Sequence, residues 1–225
     1  MRKQTGFTLI EIAIVLVIIG LLLGGILKGQ ELITGAKVRN LISQVDGVKA
    51  AFFGFQDRYR AYPGDYSQAV ANIANVTAAG NGNGRVEAIG IAATPEELLV
   101  WDHLSHAGFI TGTYSATSTT AAAGAGTNPA NPYNVLIQLV YDNVYADAGG
   151  SPVARHNVKT GNQIPVEIIS EVDRKVDDGN ANTGGFRGSL YIPGGVQSTV
   201  RCWNTTSGAW LTTIGEPDCG GASLF

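Results

Sequence analysis

The sequence predicts an α+β fold: a long N-terminal α-helix, one half membrane-spanning and the other amphipathic, packed on a small, mostly antiparallel β-sheet with short helices and long loops. Three observations predict it. Residues 7–27 are apolar, with one charge, Glu11, and no proline. Beyond them Val38, Leu41, Val45, Val48, Phe52, Phe55 and Tyr59 keep three-and-four spacing, the single stripe of an amphipathic helix. Short β-prone runs then follow in the C-terminal half of a chain of 225 residues that contains 30 glycines, a composition rich in turns.

The apolar run comes first. At helical rise it covers about 30 Å, the thickness of a bilayer's hydrocarbon core. Arg2 and Lys3 precede it, and by the positive-inside bias they hold the N-terminus in the cytoplasm and send the bulk of the chain outward. A secretory signal peptide has its small-residue cleavage site after the apolar region. Here the small residue, Gly6, stands in front. A cut between Gly6 and Phe7 would remove the basic leader, keep the helix, and free an amine on Phe7 one helical turn from Glu11. A carboxylate inside a membrane segment is costly unless it has a partner. That amine is a partner, within one chain or between chains. The plain alternative is an uncleaved membrane anchor.

Gly6-Phe7-Thr8-Leu9-Ile10-Glu11, with the basic leader before it and the apolar run after it, resembles the class III signal of the type IV pilin family, which includes the type II secretion pseudopilins. The resemblance implies a pilin fold, cleavage after Gly6 by a prepilin peptidase, N-methylation of Phe7, and a role for Glu11 in setting subunit register in a helical filament. It implies three segments: a leader at 1–6, a transmembrane and filament-core helix at 7–35, and a periplasmic or extracellular pilin-like domain at 36–225. The implied partners are copies of the chain and related pilins, the peptidase and an inner-membrane assembly platform. The implied location is the bacterial inner membrane, single-pass with the C-terminus periplasmic, and after assembly a pilus or pseudopilus. Many family members carry a proline past the middle of the membrane half; this chain has Gly24, Gly25 and Gly29 there instead. Each glycine weakens a helix by about 1 kcal/mol relative to alanine. The helix is therefore expected to loosen over residues 24–35 in an assembled filament, where small residues also allow close helix approach.

The long helix should run to about Arg60 and stop at Ala61-Tyr62-Pro63-Gly64, because a residue before proline is biased out of the helical region. Asp65 is expected to cap a short helix over residues 66–76, with Gln68 at the reciprocal position. Ala79-Gly80-Asn81-Gly82-Asn83-Gly84 reads as a tight loop; it has half of a calcium loop's pattern but lacks the bidentate glutamate. Thr94-Pro95-Glu96-Glu97 is a helix start, with Leu98, Trp101 and Leu104 facing inward and Gly108 as the stop. His103 and His106 lie three apart on that helix; a metal pair would need a third ligand, and packed or solvent-facing histidines fit better. Residues 111–132 form a low-complexity loop expected to face outward. Residues 135–141 read as a buried strand. Pro165 opens a helix with Val166, Ile169, Val172 and Val176 inward. Strand signals follow at 189–192, 199–203 and 210–214, with a turn over 204–208.

Two clusters of side chains remain. Asp173, Asp177, Asp178, Asn180 and Asn182 fall within ten residues and could hold calcium through oxygen ligands. Some pseudopilins bind calcium in a C-terminal loop. The competing reading is a hydrogen-bonded turn capping the helix. Cys202 and Cys219 should form a disulfide outside the cytoplasm, worth about 3 kcal/mol on the chain-entropy view, with two reduced thiols as the alternative. A disulfide-closed C-terminal loop is also frequent among pilins.

A net charge of −3 gives no basic nucleic-acid surface. There is no phosphate loop, no Cys–His pairing and no serine elbow, and His103, His106 and His156 share no useful spacing. No catalytic residue is expected and the chain is read as a non-enzyme. The leading reading is a prepilin, the structural subunit of a type IV pilus-like filament. The alternative is a type II secretion pseudopilin. A signal-anchored periplasmic enzyme using the acids around Asp177 is the distant third.

Overall fold

The computed structural model describes residues 9–88, 95–116, 124, 126–189, 191 and 201–225. Its elements are helix α1 (Leu9–Tyr59), the four-residue α2 (Ala69–Asn72), α3 (Glu96–His106), β1 (Gln138–Asp142), β2 (Arg155–Lys159), α4 (Val166–Val176), β3 (Phe186–Gly188), a 3-10 turn (Thr212–Ile214) and β4 (Gly221–Leu224). Two compact units divide between Lys37 and Val38. The class is α+β, as the periodicity predicts.

The first unit holds the N-terminal part of α1. Its helix is unbroken through Gly24, Gly25 and Gly29, where a Cβ would meet only open space. Among the described residues α1 is the one helix long and apolar enough to cross a membrane.

In the second unit the predicted stripe is the buried face of the helix: Val38, Leu41, Val45, Val48, Phe52 and Phe55 are all at most 6% exposed. Val45, Val48, Phe52 and Phe55 pack with Leu139 of β1 and Val158 of β2, together with Trp101 and Leu104 of α3. Val38 and Leu41 pack on Ile169 and Val172 of α4, on Phe186 and on both cysteines. The sheet has four strands in the order β1-β2-β4-β3, every pair antiparallel, with Val140 opposite Asn157, Val158 opposite Ser223, and Phe186 also opposite Ser223. The helix ends where expected, with Arg60 at φ 55° and Pro63 soon after. Gly108, at φ +79°, stops α3.

Several local expectations are corrected. Asp65 caps nothing: α2 has four residues and no side-chain cap, and the Asp65 carboxylate instead accepts hydrogen bonds from the backbone of Asn83 and Gly84, each at 2.9 Å. It acts as the anion at the centre of the glycine-rich loop, which outcompetes an isolated helix start. Val176 is 42% exposed, because α4 turns Ile168, Ser170 and Asp173 inward instead. The run at 210–214 is not a strand; Trp210 makes one bridge to Trp203, and a 3-10 turn follows. The strand foreseen at 189–192 lies just before that run, at Phe186–Gly188, while residues 190, 192, 199 and 200 lie outside the described residues, as does Thr94. Two strands, β2 and β4, had no sequence signal. The polar loop is not wholly outward either. Asn128 and Asn131 are buried, and Asn131 donates to the Thr160 carbonyl at 2.7 Å while its Oδ1 accepts from Tyr133 and Val135.

Candidate functional site

Two regions carry functional expectations, and the first is the start of α1. Gly6 and Phe7 lie outside the described residues. Glu11 sits in the first turn, where the helix dipole favours a negative charge. Around it, and on to Ile33, the large apolar side chains of α1 are between 46% and 88% exposed. A helix apolar on all faces has no place in water; it must be covered by lipid or by other helices. Besides Glu11 the stretch carries one exposed ion pair, Lys28 with Glu31 at 2.6 Å.

The second region is the C-terminal end of α4. Asp173, Asp177 and Asp178 each bring an oxygen to within 4.8 Å of the others. The helix places Asp173 inward, fully buried, four residues before Asp177. Its Oδ2 accepts a hydrogen bond from Trp210 Nε1 at 2.7 Å, and its Oδ1 is buried with no hydrogen-bond partner among the described residues. Burial pushes its pKa up to about 6; the Trp210 hydrogen bond acts the other way, and the neighbouring Asp178 and Asp177 add to the rise.

Asp177 and Asp178 also shape the turn. Asp177 Oδ2 accepts from the backbone of Gly185 and, at 3.1 Å, of Phe186. Asp178 accepts from Asn180 N at 2.8 Å and from the Thr183 hydroxyl at 2.5 Å. Gly184, at φ +73°, must be glycine, since a Cβ there would stand 1.8 Å from Asp177 Oδ2. Asn180 and Asn182 use their amide donors to pin the next turn, on Ser207 O at 3.1 Å and Thr205 O at 2.8 Å. Thus the capped turn is formed, and it also gathers three hard carboxylates around one unpaired buried oxygen. That donor set suits a hard divalent cation such as calcium, which takes six to eight oxygens, the remainder coming from backbone or water.

Cys202 and Cys219 are bonded and buried in the core beside α4. With the Asp173–Trp210 hydrogen bond, the bridge fastens the closed C-terminal loop to the helix. Sequence reading missed that hydrogen bond, because 37 residues separate its partners.

The histidines do not converge. His103 Nδ1 accepts from Gly64 N at 2.9 Å and its Nε2 faces the Ala78 carbonyl at 3.1 Å. His106 pairs with Asp102 at 2.6 Å. His156 is enclosed by Phe52, Tyr62 and Tyr141, with Nε2 accepting from Val86 N at 3.3 Å. Sequence reading also missed a buried ion pair across the sheet, Lys159 with Asp142.

Residues 1–27 match the family model of the prokaryotic N-terminal methylation motif. No curated protein and no solved structure matches.

Proposed function

We propose that this chain is a prepilin of the type IV pilin and pseudopilin family, the structural subunit of a type IV pilus-like filament; its N-terminal methylation motif supports the reading. The observation that carries the reading is the coincidence of that motif with the stretch of α1 whose apolar side chains are exposed on every face. Cleavage between Gly6 and Phe7 by a prepilin peptidase leaves a methylated Phe7 amine at the head of the helix. Before assembly the segment lies in the inner membrane, with the globular unit in the periplasm. An assembly platform then moves subunits from lipid into a helix bundle, which exchanges one apolar surrounding for another at little cost. Within the bundle, Glu11 and the Phe7 amine of a neighbour set the register. The globular unit, with its long loops, favours a pilus-type or minor subunit over a compact pseudopilin of type II secretion.

Mass spectrometry of the mature protein should find a chain that begins at methylated Phe7; a chain that begins at Met1 overturns the reading. Glu11→Ala should be processed and folded yet absent from sheared filaments, and normal incorporation would remove the register role. Long surface filaments under the electron microscope support a pilus, and their absence from cells with an intact secretion system favours the pseudopilin.

A second reading concerns the acid cluster. The unpaired buried Oδ1 of Asp173 supports a calcium site formed with Asp177 and Asp178, the nearby amides of Asn180 and Asn182 supplying the frame. The role is structural: the cation would fix the end of α4 against the disulfide loop. Calcium at about a hundred times its dissociation constant should add about 2.7 kcal/mol. An unchanged melting temperature on chelation would rule it out.

A further inference from the structure

Beyond the disulfide, Trp203 stands at the junction of two hollows, of about 330 and 520 Å3, which share Tyr145, Ala146 and Trp203 itself. Both fall in the range of small-molecule sites. The indole is a fixed platform. It lies against the backbone of Gly188, where a Cβ would come within 2.7 Å of the ring. Trp210 meets it in a T-shaped contact at 5.8 Å, and the neighbouring Cys202 is tied to Cys219. Yet the ring is only half-buried.

The rim is polar and held in place. Asp147 accepts from Arg187 at 2.5 Å and from Gly149 N at 2.9 Å. Asn182 donates to the Thr205 carbonyl at 2.8 Å, which sets the hydroxyl-bearing wall of Thr205 and Thr206. Charge decides the ligand class. Asp147 is neutralised by Arg187, and the same guanidinium already covers the Tyr145 ring at 5.6 Å. A cationic ligand would find the acid paired and the aromatic face taken; an anionic one would find the arginine already bound. A neutral ligand with one apolar face and many hydroxyls fits: its C–H face lies on the indole, while its hydroxyls meet the Asp147 carboxylate, the Asn182 amide and the threonines. Because the hollows meet at the indole, such a ligand can straddle it.

We propose that this cleft is a binding site for a short neutral saccharide, with Trp203 as the stacking platform and Asp147, held in place by Arg187, as the hydroxyl acceptor. The site is independent of N-terminal processing.

The test uses the full chain in a detergent without a sugar headgroup. Saturation-transfer NMR is run with D-glucose, D-galactose, N-acetylglucosamine, maltose and cellobiose at about 10 mM, enough to fill nine-tenths of a site with a 1 mM dissociation constant. At least one sugar should receive saturation on its ring protons. Trp203→Ala should abolish the transfer. Trp203→Phe, which keeps a ring, should retain weaker binding, and Asp147→Asn should weaken it about tenfold, each with far-UV circular dichroism unchanged. No transfer to any of the five sugars overturns the proposal. So does transfer that survives in Trp203→Ala, or binding of choline chloride in place of the sugars.

Discussion

The two buried histidines give the globular unit a definite response to acid. His103 must be neutral as folded, because Gly64 N–H points at its Nδ1 lone pair; Nε2 then carries the proton and donates to Ala78 O. His156 accepts from Val86 N–H in the same way. Burial lowers both to about 4, from 6.5. Between those values the unfolded chain binds protons that the folded one refuses, so stability falls as pH drops through that window. From pH 7 to 4.5 each histidine costs about 2–3 kcal/mol, together about 5. Two buried acids work against them. Glu96 is raised by burial to about 6, and Asp173 likewise, so the folded chain takes their protons first and gains stability on acidification, about 3–4 kcal/mol for the pair. The wild type should therefore lose about 1–2 kcal/mol in calcium-free urea titrations at pH 4.5 against pH 7. In His103→Gln/His156→Gln the sign should reverse, because only the acids remain. If the double variant does not fold, His156→Gln alone should convert the loss into a gain of about 1 kcal/mol. A wild type more stable at pH 4.5, or a variant that still weakens, would refute the account.

Three further outcomes follow from single features. Asp65→Ala removes two charge-assisted hydrogen bonds from the glycine-rich loop; it should cost about 3 kcal/mol by denaturant titration, and proteolysis should then cut within residues 79–85. Reduction of Cys202–Cys219, which closes a span of 17 residues, should cost about 3 kcal/mol and lower the melting temperature by about 6–12 °C in calorimetry. Phe55→Ala, at a site with no exposure and ring contacts to Tyr59 and Phe109, should cost about 4 kcal/mol in the same assay.

The long helix was legible because its burial follows a single period: the residues of the stripe are those that the fold hides. The sheet was not. Arg155-His156-Asn157-Val158-Lys159 has one aliphatic residue, yet Asn157 and Lys159 are buried, because both donate to the Asp142 carboxylate across the strand pair. A partner 15 to 17 residues away leaves no local pattern. β4 is Gly-Ala-Ser-Leu, too small to show alternation, and its glycine is required where Phe186 lies against it. At α3 nothing in Thr94-Pro95-Glu96-Glu97 signals burial, but Glu96 is buried, accepting from Asn81 N and Glu87 N. The acid cluster at the end of α4 was legible because Asp173, Asp177 and Asp178 lie close together in the sequence. Its one unpaired oxygen was not, since that depends on Trp210 and on depth of burial.

The placement of β4 has a consequence for folding. Residues 221–224 form an interior strand of the sheet, hydrogen-bonded to β2 on one side and β3 on the other. Until they are in place, β2 and β3 face one another across a gap as two unfilled edges, and the ring of Phe225 is missing from the cluster on Phe52. A fragment cut before residue 221 would therefore expose two strand edges ready to pair with other chains.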